Sequence, residues 1–172
     1  MLGADTAILT NSAGSLNEDF RIGDFVCVKD LITSFIPSPL IGANIDELGK
    51  RFVSMTEAFD EDMQNTVLRL AEENRIPVHS GVYIQVAGPQ YETPAEAKLY
   101  RALGADTISM SLGAEVIAAV HMNMKVCAIN CISAMGADME AGPTQDAVGE
   151  NMKDTLPHFR ILITGLLESL AE

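Results

Sequence analysis

The sequence predicts an α/β fold in which a mixed, mostly parallel central sheet is flanked by helices. Short apolar runs typical of buried strands alternate with longer segments whose apolar residues recur at helical spacing. Several of these runs end in clusters of small and polar residues, which mark changes of chain direction. The 172 residues are 48% hydrophobic and 20% charged, so the chain can bury one core and is not generally disordered. We therefore predict a single domain spanning residues 1–172.

Five strands and four helical segments are predicted in order along the chain. The strands are residues 6–10, 24–28, 81–88, 107–110 and 126–132. The helical segments are residues 55–75, 93–103, 114–122 and the chain from 144 onward. A turn is predicted at 11–14 because Asn, Ser and Gly favour turns, and a loop at 33–44 because that stretch contains two prolines and a glycine.

The second helix carries the strongest local signals. Thr93 can cap its first turn, Pro94 fits the first helical position, and Glu96 completes a capping box. Gly104 then ends the helix. In the last segment, Pro157 is expected to kink or break the helix because proline lacks the backbone donor.

Charge and cysteine content exclude several classes of function. The formal net charge is −13, so phosphate backbones and anionic lipid repel the chain, and nucleic acid is not an expected partner. No apolar run reaches the roughly 18 residues of a membrane span, and the first residues lack the pattern of a signal peptide. Three cysteines are too few for a disulfide framework and have no histidine beside them for zinc, so we expect a cytoplasmic protein without a metal.

Residues that could bind a small molecule follow the predicted strands. Ligands of parallel sheets sit beyond the carboxyl ends of the strands, and here these ends supply hydroxyls, one aromatic, one methionine and one carboxylate. They are residues 11–14, 87–93, 109–111 and 133–134. Structural alternatives exist, since Glu92 could stabilise a helix dipole, Met110 could fill the core, and Ser111 could cap the next helix.

The chain resembles the purine nucleoside phosphorylases of the trimeric type in five stretches that occur in family order. They are residues 10–17, 39–44, 49–52, 86–93 and 104–111, and the Ala-Gly-Pro-x-aromatic-Glu-Thr pattern at 87–93 is the most specific. The resemblance covers essentially the whole chain and implies the three-layer nucleoside phosphorylase fold. It implies a homotrimer that converts purine nucleoside and phosphate into free base and ribose 1-phosphate, with no metal and no organic cofactor.

The resemblance also implies the contacts to base and sugar. Glu92 matches the family carboxylate that binds the purine at N1, and it is the predicted catalytic residue. Tyr91 matches the aromatic packed on the base, and Met110 matches the residue beneath the ribose. Tyr83 matches an aromatic that contacts the sugar, while Phe52 matches the aromatic that a neighbouring subunit lends to cover it.

Further positions follow from the same resemblance. Ser12 and Ala13 match a turn whose backbone faces phosphate and sugar, and Ser111 matches a hydroxyl that contacts phosphate. Ser133 lies at the end of the last strand, in the substrate-binding region. Gln145 stands where many members have a histidine that contacts the sugar 5′-hydroxyl, and it can still form a hydrogen bond.

Two side chains depart from the family pattern near the base. Ala134 stands where the family usually has an asparagine that reads the purine 6-oxo and N7 positions. Alanine cannot make that hydrogen bond, and one such contact is worth about 1–3 kcal/mol. Ser109 stands where glycine is common and adds bulk beside Met110.

The resemblance further implies that family members carry an additional amino-terminal segment, with phosphate-binding Ser, Arg and His residues and the first strands of the sheet. The 172-residue chain is therefore expected to be a carboxyl-terminal portion with weak or no phosphorolysis alone.

Two alternative functions stay open. The first is a methylthioadenosine phosphorylase, although that group typically has Asp at the position of Ala134 and other residues at the aromatic–Glu pair. A non-catalytic subunit would keep the nucleoside pocket but lack phosphate ligands.

Overall fold

The computed structural model describes residues 3–139 and 144–171. Its five strands are β1 Thr6–Ser15, β2 Phe25–Ile32, β3 Val78–Gln85, β4 Thr107–Ser109 and β5 Lys125–Met135. Its helices are α1 Glu61–Asn74, α2 Pro94–Ala102, α3 Gly113–His121, α4 Gln145–Asn151 and α5 Leu156–Leu170, with a 3₁₀ turn at Lys153–Thr155. The predicted α/β class is confirmed.

The five strands close on themselves in the order β1-β4-β3-β2-β5. β1 runs parallel to β5, and β3 runs parallel to both β2 and β4. The contacts of β1 with β4 and of β2 with β5 are antiparallel, so the sheet is mixed, as predicted. The sequence predicts a central sheet flanked by helices and does not predict this closure. The closure arises because the long strands β1 and β5 each pair on both of their edges.

The turn predicted at residues 11–14 is wrong, because β1 continues through them to Ser15. Its backbone pairs with β5 from Thr6 to Ser15, with one register shift between Ala13 and Gly14. The last two residues of β1 also pair with β4. The turn-forming composition is therefore overridden by long-range strand pairing, and the end of β1 lies beside β4.

The helix α2 begins and ends as predicted. The Thr93 hydroxyl accepts from the Glu96 backbone at 3.2 Å, and the Glu96 carboxylate accepts from the Thr93 backbone at 2.8 Å. The start of α1 was predicted six residues too early. Asp60 caps that helix by accepting from the Met63 N–H at 3.0 Å, so residues 55–59 lie before the helix.

The predicted break at Pro157 is confirmed, because proline lies in the first turn of α5 after the 3₁₀ turn. α5 packs against α1, and both cover β2 and β5 around buried residues such as Phe25, Val67 and Leu162. Cys27, Cys127 and Cys131 are free and buried in these strands. Within the described residues, no helix is long and apolar enough to span a membrane, and no group of side chains could hold a metal ion.

Candidate active site

A cavity of about 180 Å³ lies where the ends of β1, β4 and β5 meet the segment that leads into α2. Apolar and small polar side chains line most of it, together with one carboxylate. The lining residues are Ser12, Ala13, Gly14, Val86, Tyr91, Glu92, Ile108, Ser109, Met110, Ser133, Ala134 and Val148. Six of the predicted site residues are thus brought together from four separate stretches of sequence.

Glu92 supplies the carboxylate of this cavity. It is partly buried, and its Oε1 accepts a hydrogen bond from the Ala137 backbone N–H at 3.3 Å. Burial raises the pKa of Glu92, and the nearby negative charges of Glu96 and Asp138 add to this rise. The first turn of α2 is capped by Thr93 and Glu96, so the helix does not need Glu92 as a cap.

A bidentate ion pair holds the turn that contains the Ala137 N–H donor. Arg101 on α2 contacts both Asp138 oxygens, at 2.8 and 2.9 Å, and its Nε donates to the Leu16 carbonyl at 2.6 Å. The guanidinium lowers the pKa of Asp138. This arrangement ties the turn after β5 to α2 and to the end of β1, and so fixes the donor beside Glu92.

The wall formed by β5 is buried and mostly apolar. The Ser133 hydroxyl donates to the Ala13 carbonyl at 3.3 Å, and the Ser133 carbonyl accepts from the Asn151 side chain at 2.8 Å. Ala134 contributes only a methyl group to this wall. Of the two lining residues on this strand, Ser133 is the one with a polar side chain, and its hydroxyl retains the capacity to accept a hydrogen bond.

Four predicted site residues lie outside the cavity lining. Tyr83 is fully buried, and its hydroxyl donates to the Ser111 carbonyl. Burial raises the pKa of Tyr83 to about 12. Ser111 is exposed at the rim and does not cap α3, whose N-cap is Leu112. Gln145 is exposed as the first residue of α4.

Phe52 is the fourth, and it is 87% exposed in the long segment between β2 and α1. The Arg51 guanidinium lies 5.7 Å from the centre of its ring. This aromatic side chain is therefore left largely open to solvent.

The sequence analysis assigned no individual role to three polar residues, of which only Asn11 lies in a stretch predicted to bind a ligand. Asn11, Thr107 and Asn130 form a connected set of side-chain hydrogen bonds behind Ser109. Asn130 had one visible signal, because it interrupts the otherwise apolar run of β5. A polar residue inside a buried strand requires a partner, but the sequence does not show which residue provides it.

Fold and cavity together define an α/β protein with a candidate small-molecule site built around a partly buried carboxylate. The chain belongs to the phosphorylase superfamily, whose family pattern matches residues 1–168. This confirms the family identified from the motifs.

The similar curated relatives include purine nucleoside phosphorylase 1 of Bacillus subtilis (strain 168), which is 38% identical over 96% of this chain and 62% of its own length. The corresponding protein of Geobacillus stearothermophilus is 37% identical over 99% of this chain and 63% of its own. A solved Schistosoma mansoni purine nucleoside phosphorylase in complex with adenosine superposes with a TM-score of 0.94, at 30% identity, over 98% of this chain and 63% of that one. The chain thus spans somewhat less than two thirds of these relatives.

Proposed function

We propose that the cavity binds the purine base of a nucleoside and that the protein catalyses its reversible phosphorolysis to free base and ribose 1-phosphate. The observation that carries this proposal is the partly buried Glu92 carboxylate beside the Tyr91 ring in a small, largely apolar cavity. A flat heterocycle with one N–H donor matches such a site, because the ring packs on apolar groups and the carboxylate binds the donor. Similar solved proteins include ones in complex with hypoxanthine and with guanosine.

The chemistry assigns Glu92 its catalytic role. Breaking the glycosidic bond leaves an oxocarbenium-like sugar and moves negative charge onto the departing base. A carboxylate that accepts from N1–H holds the base in one orientation. The hydrogen bond tightens as the imidazole ring of the base takes up the proton that phosphate loses on bonding to the sugar, because that proton makes N1–H a stronger donor. Because Oε1 already accepts from Ala137, the remaining carboxylate oxygen is the one available to the base.

The remaining contacts follow the positions of the other residues. Met110 would lie under the sugar, and the backbone of Ser12 and Ala13 with the Ser111 hydroxyl would face phosphate. Phosphate then acts both as nucleophile and as counter-charge to the sugar cation. With only a methyl group at Ala134, recognition of a 6-oxopurine depends mainly on Glu92.

Hypoxanthine binding should depend on pH through Glu92. The ionised Glu92 carboxylate accepts a hydrogen bond from N1–H. The protonated carboxyl group instead presents an O–H donor to N1–H, which is itself a donor. Affinity is therefore present above the pKa of Glu92 and is lost as the pH falls through that value. Since burial raises this pKa, the loss should begin above the value of about 4.3 for an ordinary glutamate.

Calorimetric titration of hypoxanthine between neutral pH and about pH 4.5 measures this dependence. The Glu92→Gln variant is the matched control, and its weaker binding should not change with pH over that range. A wild-type affinity that stays constant across the range would contradict a role for the carboxylate.

We also propose that Phe52 covers the sugar in the site of a neighbouring copy within a homotrimer. Its 87% exposure leaves its ring available for such a contact. Replacing Phe52 by Ala should lower nucleoside turnover without changing the affinity for free hypoxanthine, because the base does not reach this ring.

Mixed assemblies test this arrangement. Subunits with Phe52→Ala and subunits with Glu92→Gln are each impaired, but a mixed trimer contains sites with an intact Glu92 and an intact Phe52 from the adjacent copy. Activity should therefore rise above that of either variant when the two are co-assembled. The absence of any rise in confirmed mixed trimers would place Phe52 in its own subunit's site or outside the site.

Phosphate-dependent release of hypoxanthine from inosine tests the proposed function. It should be measured on the 172-residue chain and on any longer form of the protein. Release that requires phosphate in at least one form supports phosphorolysis, and equal release without phosphate would indicate a hydrolase. Base binding with no release in any form would favour a non-catalytic nucleoside-binding subunit.

A further inference from the structure

A chain of side-chain hydrogen bonds leads from the interior of the sheet to the rim of the cavity. The Thr107 hydroxyl donates to Asn130 Oδ1 at 2.8 Å, and Asn130 Nδ2 donates to Asn11 Oδ1 at 2.6 Å. Both Thr107 and Asn130 are fully buried. Each step joins a different strand, since the three residues belong to β4, β5 and β1.

The chain ends on Ser109, which lines the cavity, and on Ser111, which is exposed beside it. Asn11 Nδ2 donates to the Ser109 hydroxyl and to the Ser111 hydroxyl, at 3.2 Å in both cases. The two hydroxyl oxygens are 3.5 Å apart, which is longer than an ordinary O–H···O hydrogen bond. Each serine therefore accepts from Asn11 and does not need its own proton for the other serine.

The two amides give the hydrogen bonds of this chain a single direction. An amide has a donor side and an acceptor side, so with Asn130 Oδ1 accepting from Thr107, the Asn130 Nδ2 group faces Asn11. Asn11 then presents its oxygen to Asn130 and its nitrogen to the serines. In this arrangement no buried side-chain nitrogen or oxygen of the described residues lacks a partner.

The backbone that carries the serines is held by other groups. The Gln85 side chain donates to the Met110 carbonyl at 3.1 Å, and the Tyr83 hydroxyl donates to the Ser111 carbonyl. The backbone of Val86 donates to the Ser109 carbonyl at 3.0 Å. The segment 109–111 therefore has three anchors that do not involve Asn130, and the Tyr83 hydroxyl also lies within hydrogen-bond reach of the Ser109 and Asn11 side chains.

We propose that Asn130 is a positioning residue that acts through Asn11 and directs the protons of Ser109 and Ser111 toward an anion at the cavity rim. This inference rests on the proposed function, from which we take that anion to be the phosphate co-substrate. Two hydroxyls that accept from the same amide nitrogen both donate away from it, so an oxyanion meets a pair of donors already aligned. Ser109 thereby becomes a second phosphate contact beside Ser111.

The variant Asn130→Asp should reverse the direction of the hydrogen bonds along this set of side chains, with little change in the shape of the side chain at position 130. A carboxylate cannot donate to Asn11, so Asn11 should turn its nitrogen to position 130 and its oxygen to the serines. The serine protons then point at Asn11 rather than at the cavity. The Kd for inorganic phosphate, measured by calorimetry, should rise about tenfold or more, while the Kd for hypoxanthine should change less than about twofold.

A double-mutant cycle separates this effect from a general effect of a buried carboxylate. With Ser109→Ala and Ser111→Ala in the background, no hydroxyl proton remains to be misdirected, so Asn130→Asp should change the phosphate Kd less than about twofold. An equal loss in both backgrounds would overturn the proposal. If Asn130→Asp does not fold, Asn130→Ala serves the same cycle, with a smaller expected loss of about threefold because Asn11 is then free to take either orientation.

Two outcomes of the wild-type titrations distinguish this inference from the proposed function. Binding of hypoxanthine without any binding of phosphate would overturn the inference and leave the base site intact. Binding of neither would overturn the proposed function itself.

Discussion

Replacing Glu92 by Gln is expected to lower kcat/KM for inosine phosphorolysis by about 30-fold or more. The substitution keeps the shape of the side chain and removes the charge that accepts from the base. A charge-assisted hydrogen bond that strengthens toward the transition state contributes about 2–4 kcal/mol, which corresponds to this loss. Hypoxanthine affinity should fall in the same variant, as measured by calorimetry.

The melting temperature of Glu92→Gln should stay within about 2 °C of the wild type. The raised pKa of Glu92 means that the fold disfavours its ionised form, so removing the charge does not cost stability near neutral pH. A helix-dipole role predicts the opposite pattern, with lower stability and unchanged turnover. That result would remove Glu92 from the site.

Glu96→Gln is the matched control for this experiment. It makes the same chemical change four positions later, on a carboxylate whose pKa is lowered by its hydrogen bonds to Thr93 in the capping box. This variant should lose stability through the weaker cap and keep the kcat/KM of the wild type. The two glutamates should therefore separate a helix-capping effect from a catalytic one.

Replacing Gly88 by Ala is expected to reduce nucleoside affinity about tenfold or more and to destabilise the fold. Gly88 has a φ of 67°, and a Cβ at this position would lie 2.4 Å from the sulfur of Met110. The Met110 carbonyl is fixed by Gln85, so relief must come from the flexible end of its side chain. That end lies at the cavity, and its displacement takes room from the ligand.

Gly104→Ala separates the steric effect of Gly88→Ala from backbone strain. Gly104 has a φ of 91°, and no heavy atom lies within 4 Å of an added Cβ. Both variants should lose about 1–2 kcal/mol of unfolding free energy from the left-handed conformation, as measured by denaturant unfolding. Only Gly88→Ala should lose affinity, and equal affinities in the two variants would contradict the contact with Met110.

Local signals in the sequence correctly predicted the features that are stabilised by residues close together in the chain. The capping box of α2 involves residues only three positions apart, and Pro157 acts on its own helix, so both were predicted correctly. The start of α1 was missed for a related reason. Met55 and Phe59 continue the apolar spacing of that helix, but they pack in a different cluster, against β2 and α3.

Long-range pairing could not be predicted in the same way. Residues 11–14 have the composition of a turn, and only the register with β5, more than 100 residues away, makes them a strand. The partner of Asn130 is 119 positions away in the sequence, so its role in orienting the site has no local pattern. The alternation of strands and helices likewise predicts parallel pairs but not the two antiparallel contacts that close the sheet.

Motif resemblance narrowed the candidate site further than composition did. It selected Tyr91, Glu92 and Met110 from positions that have ordinary structural roles when considered singly, and the fold places all three around one cavity. The roles assigned to these three residues, and those assigned to Tyr83 and Gln145, remain predictions. Tyr83 is buried behind Ser111, and Gln145 is exposed on α4 outside the lining.

A crystal structure of the protein with hypoxanthine tests the central claim most directly. We predict the base in the cavity against Tyr91, with its N1 within hydrogen-bond distance, about 2.6–3.2 Å, of a Glu92 carboxylate oxygen. The same carboxylate should still accept from the Ala137 backbone through its other oxygen. Hypoxanthine bound at another place, or bound in the cavity without contact to Glu92, would contradict the account.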